Sequence, residues 1–258
     1  MSVFENGFLD SEANEKRDFI IKSYNDIYSF YSKINEDAHS MFRNSYSLVN
    51  DSAERFTMVC LFMRSLTLSQ SIYFISQRGM LAESRILLRS LIETIFSLVA
   101  SSVDDSILKV LELKDEKQKL KFVNRIINSK HTIKNIPGDT ELNKIKEEII
   151  SRINNIPIQS KTTEDISRIA NMHDYYLTVY SHLCNSVHTN LIDFESNLVQ
   201  SENKLIGLSY GPTDDYLMKN IITMIDLVLR AMKSINKYFS LNEDNLIEAQ
   251  FRKLKTYK

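Results

Sequence analysis

The sequence predicts an all-α fold, a single-domain bundle of seven to nine helices, and three observations carry that expectation. Gly and Pro supply only 5 and 3 of the 258 residues, too few for a β fold that turns every ten residues or so. Apolar residues return at steps of three and four along most of the chain, which is the period of a helix face. The hydrophobic share of 43% and the charged share of 25% belong to a globular chain long enough to bury a substantial core. The domain is expected to span residues 1–258, with the core bundle at about 50–240 and a polar excursion at about 131–165.

Each element has its own local reason. From Ser11 to Ser47, Phe19, Ile20, Ile27, Phe30, Tyr31 and Ile34 recur among charged neighbours, as in an amphipathic helix with a break near Asn44. Asp51 or Ser52 can cap the following segment, which is apolar on most of its circumference and stops at Gly79, a residue suited to a left-handed helix end. A second apolar helix runs from Met80 to Ser102, ends at Asp104 and Asp105, and pairs with the first as an antiparallel hairpin. Residues 106–130 are rich in Lys and Glu with a narrow apolar stripe, the pattern of an outer helix. Because Lys114 to Lys134 are mixed with Asp115 and Glu116, the charges read as a solvated face rather than an RNA-binding stripe. Pro137-Gly138 and Pro157 bracket a short helix at about Thr140–Asn154. Helical spacing then continues from Thr163 to Leu198. Gly211-Pro212-Thr213 turns into a long helix with a broad apolar face, and a last helix covers about Glu243–Leu254.

The candidate site comes from charges within apolar helices. Arg85, Arg89 and Glu93 lie at i, i+4 and i+8 in an otherwise apolar run, so they share one face. An unpaired buried charge costs several kcal/mol, so these groups need partners or a wet cleft. Tyr180, Cys184 and His188 form a second i, i+4, i+8 set, flanked by Tyr176, Ser181, His182 and Asn185. Polar groups packed in this way fix the register of a bundle as satisfied core residues or build a site. Read as a site, His188 gives and takes protons near neutrality, and Arg89 clamps a phosphate through two donors. Glu93 orients them, while Arg85, Tyr180, Ser181, His182 and Asn185 contact substrate. That set suits RNA cleavage through the ribose 2'-hydroxyl.

At Arg89-Ser-Leu-Ile-Glu93, Tyr180-Ser181, His188 and the Gly211-Pro212 turn, the chain resembles the domain of unknown function 5677 family of bacterial all-helical proteins, over roughly residues 50–235. It is more distantly similar to HEPN domains. That resemblance implies a HEPN-like bundle and a metal-independent ribonuclease or toxin-type effector in bacterial antiphage defence, whose site faces a dimer mate. His188 matches the HEPN histidine and His182 the polar residue before it. Ser181 stands where the HEPN arginine would be, so Arg89 would supply the cation from the neighbouring helix. The alternative is a non-catalytic interaction or sensor module of a defence or regulatory complex.

The net charge of -1 gives no global pull toward nucleic acid or anionic lipid. His39, His131 and His173 are dispersed and no Gly-rich phosphate loop or Cys-x-x-Cys occurs, so no metal and no cofactor are expected. Cys60 and Cys184 stand apart in apolar contexts, as in a reduced cytoplasmic protein. The start of the chain lacks a basic stretch followed by an apolar one, and no 18 apolar residues are contiguous, so neither secretion nor a membrane partner is expected. Expected partners are a second copy through an exposed apolar helix face, RNA, and an antitoxin or defence-complex subunit.

Overall fold

The structure is a computed structural model that describes residues 6–129, 139–187, 198–201, 204–208 and 210–257. His188, His131, Pro137, Gly138 and the side chain of Asn185 lie outside the described residues. The fold is all-α. Among the described residues, eight helices have eleven residues or more: α1 (Glu12–Ser23), α2 (Asn25–Ser47), α3 (Ala53–Gln77), α4 (Leu81–Val103), α5 (Ser106–Asn128), α6 (Asp139–Asn154), α10 (Leu217–Phe239) and α11 (Asp244–Leu254). Short helices α7 (Thr163–Ile169), α8 (His173–Tyr175) and α9 (Ser181–Val187) join α6 to a two-stranded antiparallel hairpin, β1 (Leu198–Ser201) and β2 (Lys204–Leu208).

The central layer is the α3–α4 hairpin with α10 laid against both, and 15 of the 23 residues of α10 are buried. One apolar cluster runs from Ile20 of α1 to Leu254 of α11 and includes Phe62, Phe96, Ile92 and Met224. Two polar pairs cross between helices inside it: Tyr31 Oη donates to Ser69 Oγ at 2.8 Å, and Asn220 Nδ2 donates to Ser84 Oγ at 3.1 Å. By length and composition, α3 and α4 are each long and apolar enough to cross a membrane, a test that the central helices of a bundle also pass. Helix α6 packs on α5, where Arg152 Nε meets Glu116 Oε2 at 2.9 Å.

The helix ends follow the expected chemistry in several places. Ser52 caps α3 by accepting the Arg55 N–H. Gly79 adopts φ +68° at the end of the same helix, with Met80 N–H reaching back to Ile75 O. A side chain at Gly79 is also excluded by space, since a Cβ there would lie 2.7 Å from the Thr213 carbonyl oxygen.

Three boundaries differ from the sequence expectation. The first long helix breaks at Tyr24 (φ -110°, ψ 20°) and runs unbroken through Asn44, because the break lets both α1 and α2 turn apolar residues inward without Gly or Pro. The run from Thr163 is not one helix: Asn171 takes a left-handed turn at φ 52°, and Leu198 begins a strand. Finally, α10 starts at Leu217 behind a left-handed Tyr216, three residues after Asp214, where the Gly211-Pro212-Thr213 turn would start it.

Candidate functional site

Helix α4 presents Arg89 and Glu93 one turn apart toward α9, and the direct contact between Arg89 Nη2 and Glu93 Oε1 is long at 3.4 Å. Tyr180 closes the gap. Its hydroxyl accepts from Arg89 Nη2 at 3.0 Å and donates to Glu93 Oε1 at 2.6 Å. The guanidinium carbon also lies 5.0 Å from the centre of the Tyr180 ring, and Arg89 Nε donates to Cys184 Sγ at 3.4 Å. Tyr180 and Cys184 come from the chain four residues apart, so the i, i+4 pattern on one helix meets the i, i+4 pattern on the other. Arg89 has no hydrogen bond from Nη1 among the described residues, which leaves that corner of the fork available.

The electrostatics favour a neutral tyrosine between two charges. Burial raises the Tyr180 phenol above its ordinary value, and Glu93, as hydrogen-bond acceptor and as charge, raises it further. For Arg89, burial pulls downward, but the Cys184 contact and the Glu93 charge outweigh it, so the guanidinium is held more firmly protonated than usual. With the Arg89 side chain 19% exposed and Glu93 38% exposed, the cluster opens to solvent on its Glu93 side.

The segment that delivers Tyr180 is π-helical over Tyr176–Tyr180. Ser181 donates both its N–H and, at 2.7 Å, its Oγ to the Tyr176 carbonyl five residues back, so its hydroxyl is committed to this turn. The turn separates Tyr175 from Tyr180, and each hydroxyl reaches a different helix. Tyr175 Oη donates to Asp226 Oδ2 at 2.7 Å on α10, where Arg230 Nε donates to the same oxygen at 2.7 Å and Arg230 lies 5.2 Å from the Tyr175 ring centre. Thus the segment is bolted on two sides by clusters of the same composition: one arginine, one carboxylate and one tyrosine. Burial, and then Asp226, raise the Tyr175 phenol as well.

Of the other residues expected here, Arg85 lies against the Tyr216 ring at 5.9 Å, and His182 is exposed. One residue, His173, joins the site that spacing alone had left aside, through Tyr176. His173 stacks on Tyr176 at 5.8 Å, and Tyr176 stacks on Tyr180 at 5.2 Å, a ladder of three rings ending at Arg89. Their i, i+3, i+7 spacing is the cue that marks them in the sequence. Among the described residues, no group of three or more His, Cys, Asp and Glu converges as a metal centre would require.

The profile of the family of unknown function DUF5677 matches residues 55–205, more than half of the chain. The chain belongs to this family. The DUF5677 match runs from the first turn of α3 into β2, and so contains Arg89, Glu93, Tyr175, Tyr180 and Cys184, while Asp226 and Arg230 lie beyond it. No curated protein and no solved structure matches the chain.

Proposed function

We propose that this DUF5677 protein is a metal-independent endoribonuclease, a cytoplasmic toxin-type effector of bacterial antiphage defence. The observation that carries the reading is the meeting of Arg89, Glu93 and Tyr180 in a half-open seam between α4 and the π-helical segment, eight residues before His188 in the sequence. Arg89 offers Nη1 to a phosphate oxygen while Glu93 and Tyr180 fix its plane, so the guanidinium is oriented before substrate arrives. His188, four residues beyond Cys184 in the sequence, removes the 2'-hydroxyl proton. The 2'-oxygen bonds to phosphorus, the bond to the 5'-oxygen breaks, and the imidazolium returns the proton to that oxygen. The products are a 2',3'-cyclic phosphate and a 5'-hydroxyl. The ring ladder of His173, Tyr176 and Tyr180 supplies surfaces on which a base can stack. The partners we propose are RNA, an antitoxin or defence-complex subunit, and a second copy. The last would use the α3 stripe that leaves Phe56, Met63 and Phe74 exposed.

The test incubates purified wild type, His188→Ala and Arg89→Lys with a single-stranded RNA and maps the ends formed. Cyclic phosphate ends from wild type, at least a hundredfold fewer from His188→Ala, and tenfold fewer from Arg89→Lys assayed well below its lowered melting temperature, are the expected result. Intact RNA with wild type, or equal cleavage by His188→Ala, overturns it. A second reading, a non-catalytic interaction module, is favoured by the bonds through which Cys184 and Tyr180 already engage Nε and Nη2 of Arg89 beside Glu93. Under it, the same variants change melting temperature and nothing else.

A further inference from the structure

Away from that seam, one face of α5 forms a groove whose charge is entirely positive. Val110, Lys114, Lys117, Gln118 and Lys121 follow one another along the helix, and Ser160 and Lys161, from the segment between α6 and α7, enclose with them a cavity of about 240 Å³. Four of the seven lining residues are lysines and none is a carboxylate. The acidic residues of α5 are engaged elsewhere. Glu112 pairs with Lys109, Asp115 with Lys119, and Glu116 with Lys119 and Arg152. Asp165, which feels the charge of Lys161, is held in a capping box by the N–H and hydroxyl of Thr162. Among the described residues, none of the four groove lysines has an ion pair, and Lys117 Nζ donates to Ser160 Oγ at 2.5 Å.

Gathering four ammonium groups in one groove is unfavourable by mutual repulsion unless an anion shares it. The arrangement also says what kind of anion. Lys114, Lys117 and Lys121 are spaced by about 4.5 Å and about 6 Å along the axis at 1.5 Å per residue, so the charges form a row and not a point. The volume lies below the roughly 300–1,000 Å³ of pockets that enclose a whole drug-sized ligand, which suits a narrow chain lying along the helix. Lysine is a compact donor with three hydrogens and recognises phosphate as a point charge without a planar fork. We propose that the α5 groove binds linked phosphate groups, whether of a free polyphosphate or of the backbone of a single-stranded nucleic acid. This inference is independent of the ribonuclease reading, since it needs neither Arg89 nor His188.

The experiment uses the full chain with two probes, inorganic tripolyphosphate in a thermal-shift assay and a labelled single-stranded oligouridylate in fluorescence anisotropy. With four lysines neutralising four phosphates at a slope of about -0.7 each, oligonucleotide affinity falls about 50-fold between 50 and 200 mM salt. Replacing Lys114→Gln, Lys117→Gln and Lys161→Gln together leaves a single lysine, so affinity drops at least tenfold and the remaining salt dependence is about threefold. Lys114 and Lys117 are exposed, and loss of the Lys117–Ser160 hydrogen bond is offset by relief of repulsion between the lysines, so the variant melts within a few degrees of the wild type when no probe is present. A charge-matched variant on other helices, Lys33→Gln with Lys237→Gln and Lys253→Gln, keeps the binding. Oligonucleotide binding displaced by tripolyphosphate supports the proposal with nucleic acid as the source. Tripolyphosphate binding alone, lost in the groove variant, supports it with a free polyphosphate as the source. Binding of neither probe, or equal loss in the charge-matched variant, overturns it.

Discussion

Replacing Tyr180 by Phe isolates the hydroxyl that joins Arg89 to Glu93, because the ring and its contacts with Phe96 and Tyr176 remain. Two hydrogen bonds to charged partners are removed, each worth about 1.5–3 kcal/mol when intact. The full sum is not expected. The direct Arg89–Glu93 contact at 3.4 Å survives, and with Glu93 38% exposed, water can replace the lost donor. We therefore expect a loss of about 1.5–3 kcal/mol, which for a chain of this size lowers the melting temperature by roughly 3–12 °C. Urea denaturation of wild type, Tyr180→Phe, Glu93→Gln and the double variant measures it, and the cycle should return a coupling of about 1 kcal/mol or more between the two positions. A loss under about 0.5 kcal/mol, or strictly additive single effects, would refute the claim that the hydroxyl bridges the pair.

The companion cluster lies deeper. Asp226→Asn, at a position 4% exposed, should cost about 2–4 kcal/mol and exceed Tyr180→Phe in the same urea assay, since two donors lose their charged acceptor. Gly79→Ala combines a left-handed φ with a clash against Thr213 backbone, and is expected to cost about 2–4 kcal/mol in thermal melts. Ser52→Ala removes the α3 cap at a cost of about 1 kcal/mol, read in the same melts. Burial raises Tyr28 to about 12, and Tyr31, Tyr175 and Tyr180 shift in the same direction. A phenol raised in the folded state binds its proton longer than the unfolded chain does. Its stabilisation is therefore complete below about pH 10 and lost as pH rises through the folded value. Melts recorded from pH 9 to 12 should fall steeply above about pH 10 and track tyrosinate absorbance; a flat profile contradicts the burial argument.

The long helices are legible in the sequence because their apolar faces repeat and their ends carry local chemistry, as at Ser52, Gly79 and Asp104. The break at Tyr24 is not, since tyrosine is no breaker by type, whereas Asn171 is a residue type that takes the left-handed region readily and is a weaker cue than glycine. The paired strands Leu198–Ser201 and Lys204–Leu208 are disguised by Val, Leu and Ile residues whose spacing also fits a helix. In the site, Arg89, Glu93 and Tyr180 stand out as charge and hydroxyl within apolar runs, and their convergence follows from pairing every buried charge. Asp226 and Arg230 carry the same mark, a lone i, i+4 ion pair in the apolar face of α10, and that rule applied to every helix would have flagged them. Their tie to Tyr175 depends on the π-turn, which no residue type announces.

That turn also sets a phase. One additional residue in a helix leaves its axis in place and rotates all that follows by about 100°. Wound as a regular α-helix, the same residues would turn Cys184 away from Arg89, and the two bolts could not close together. Any relative compared across this stretch therefore has to be aligned by which tyrosine meets which helix, with a one-residue gap accepted where the turn is α-helical.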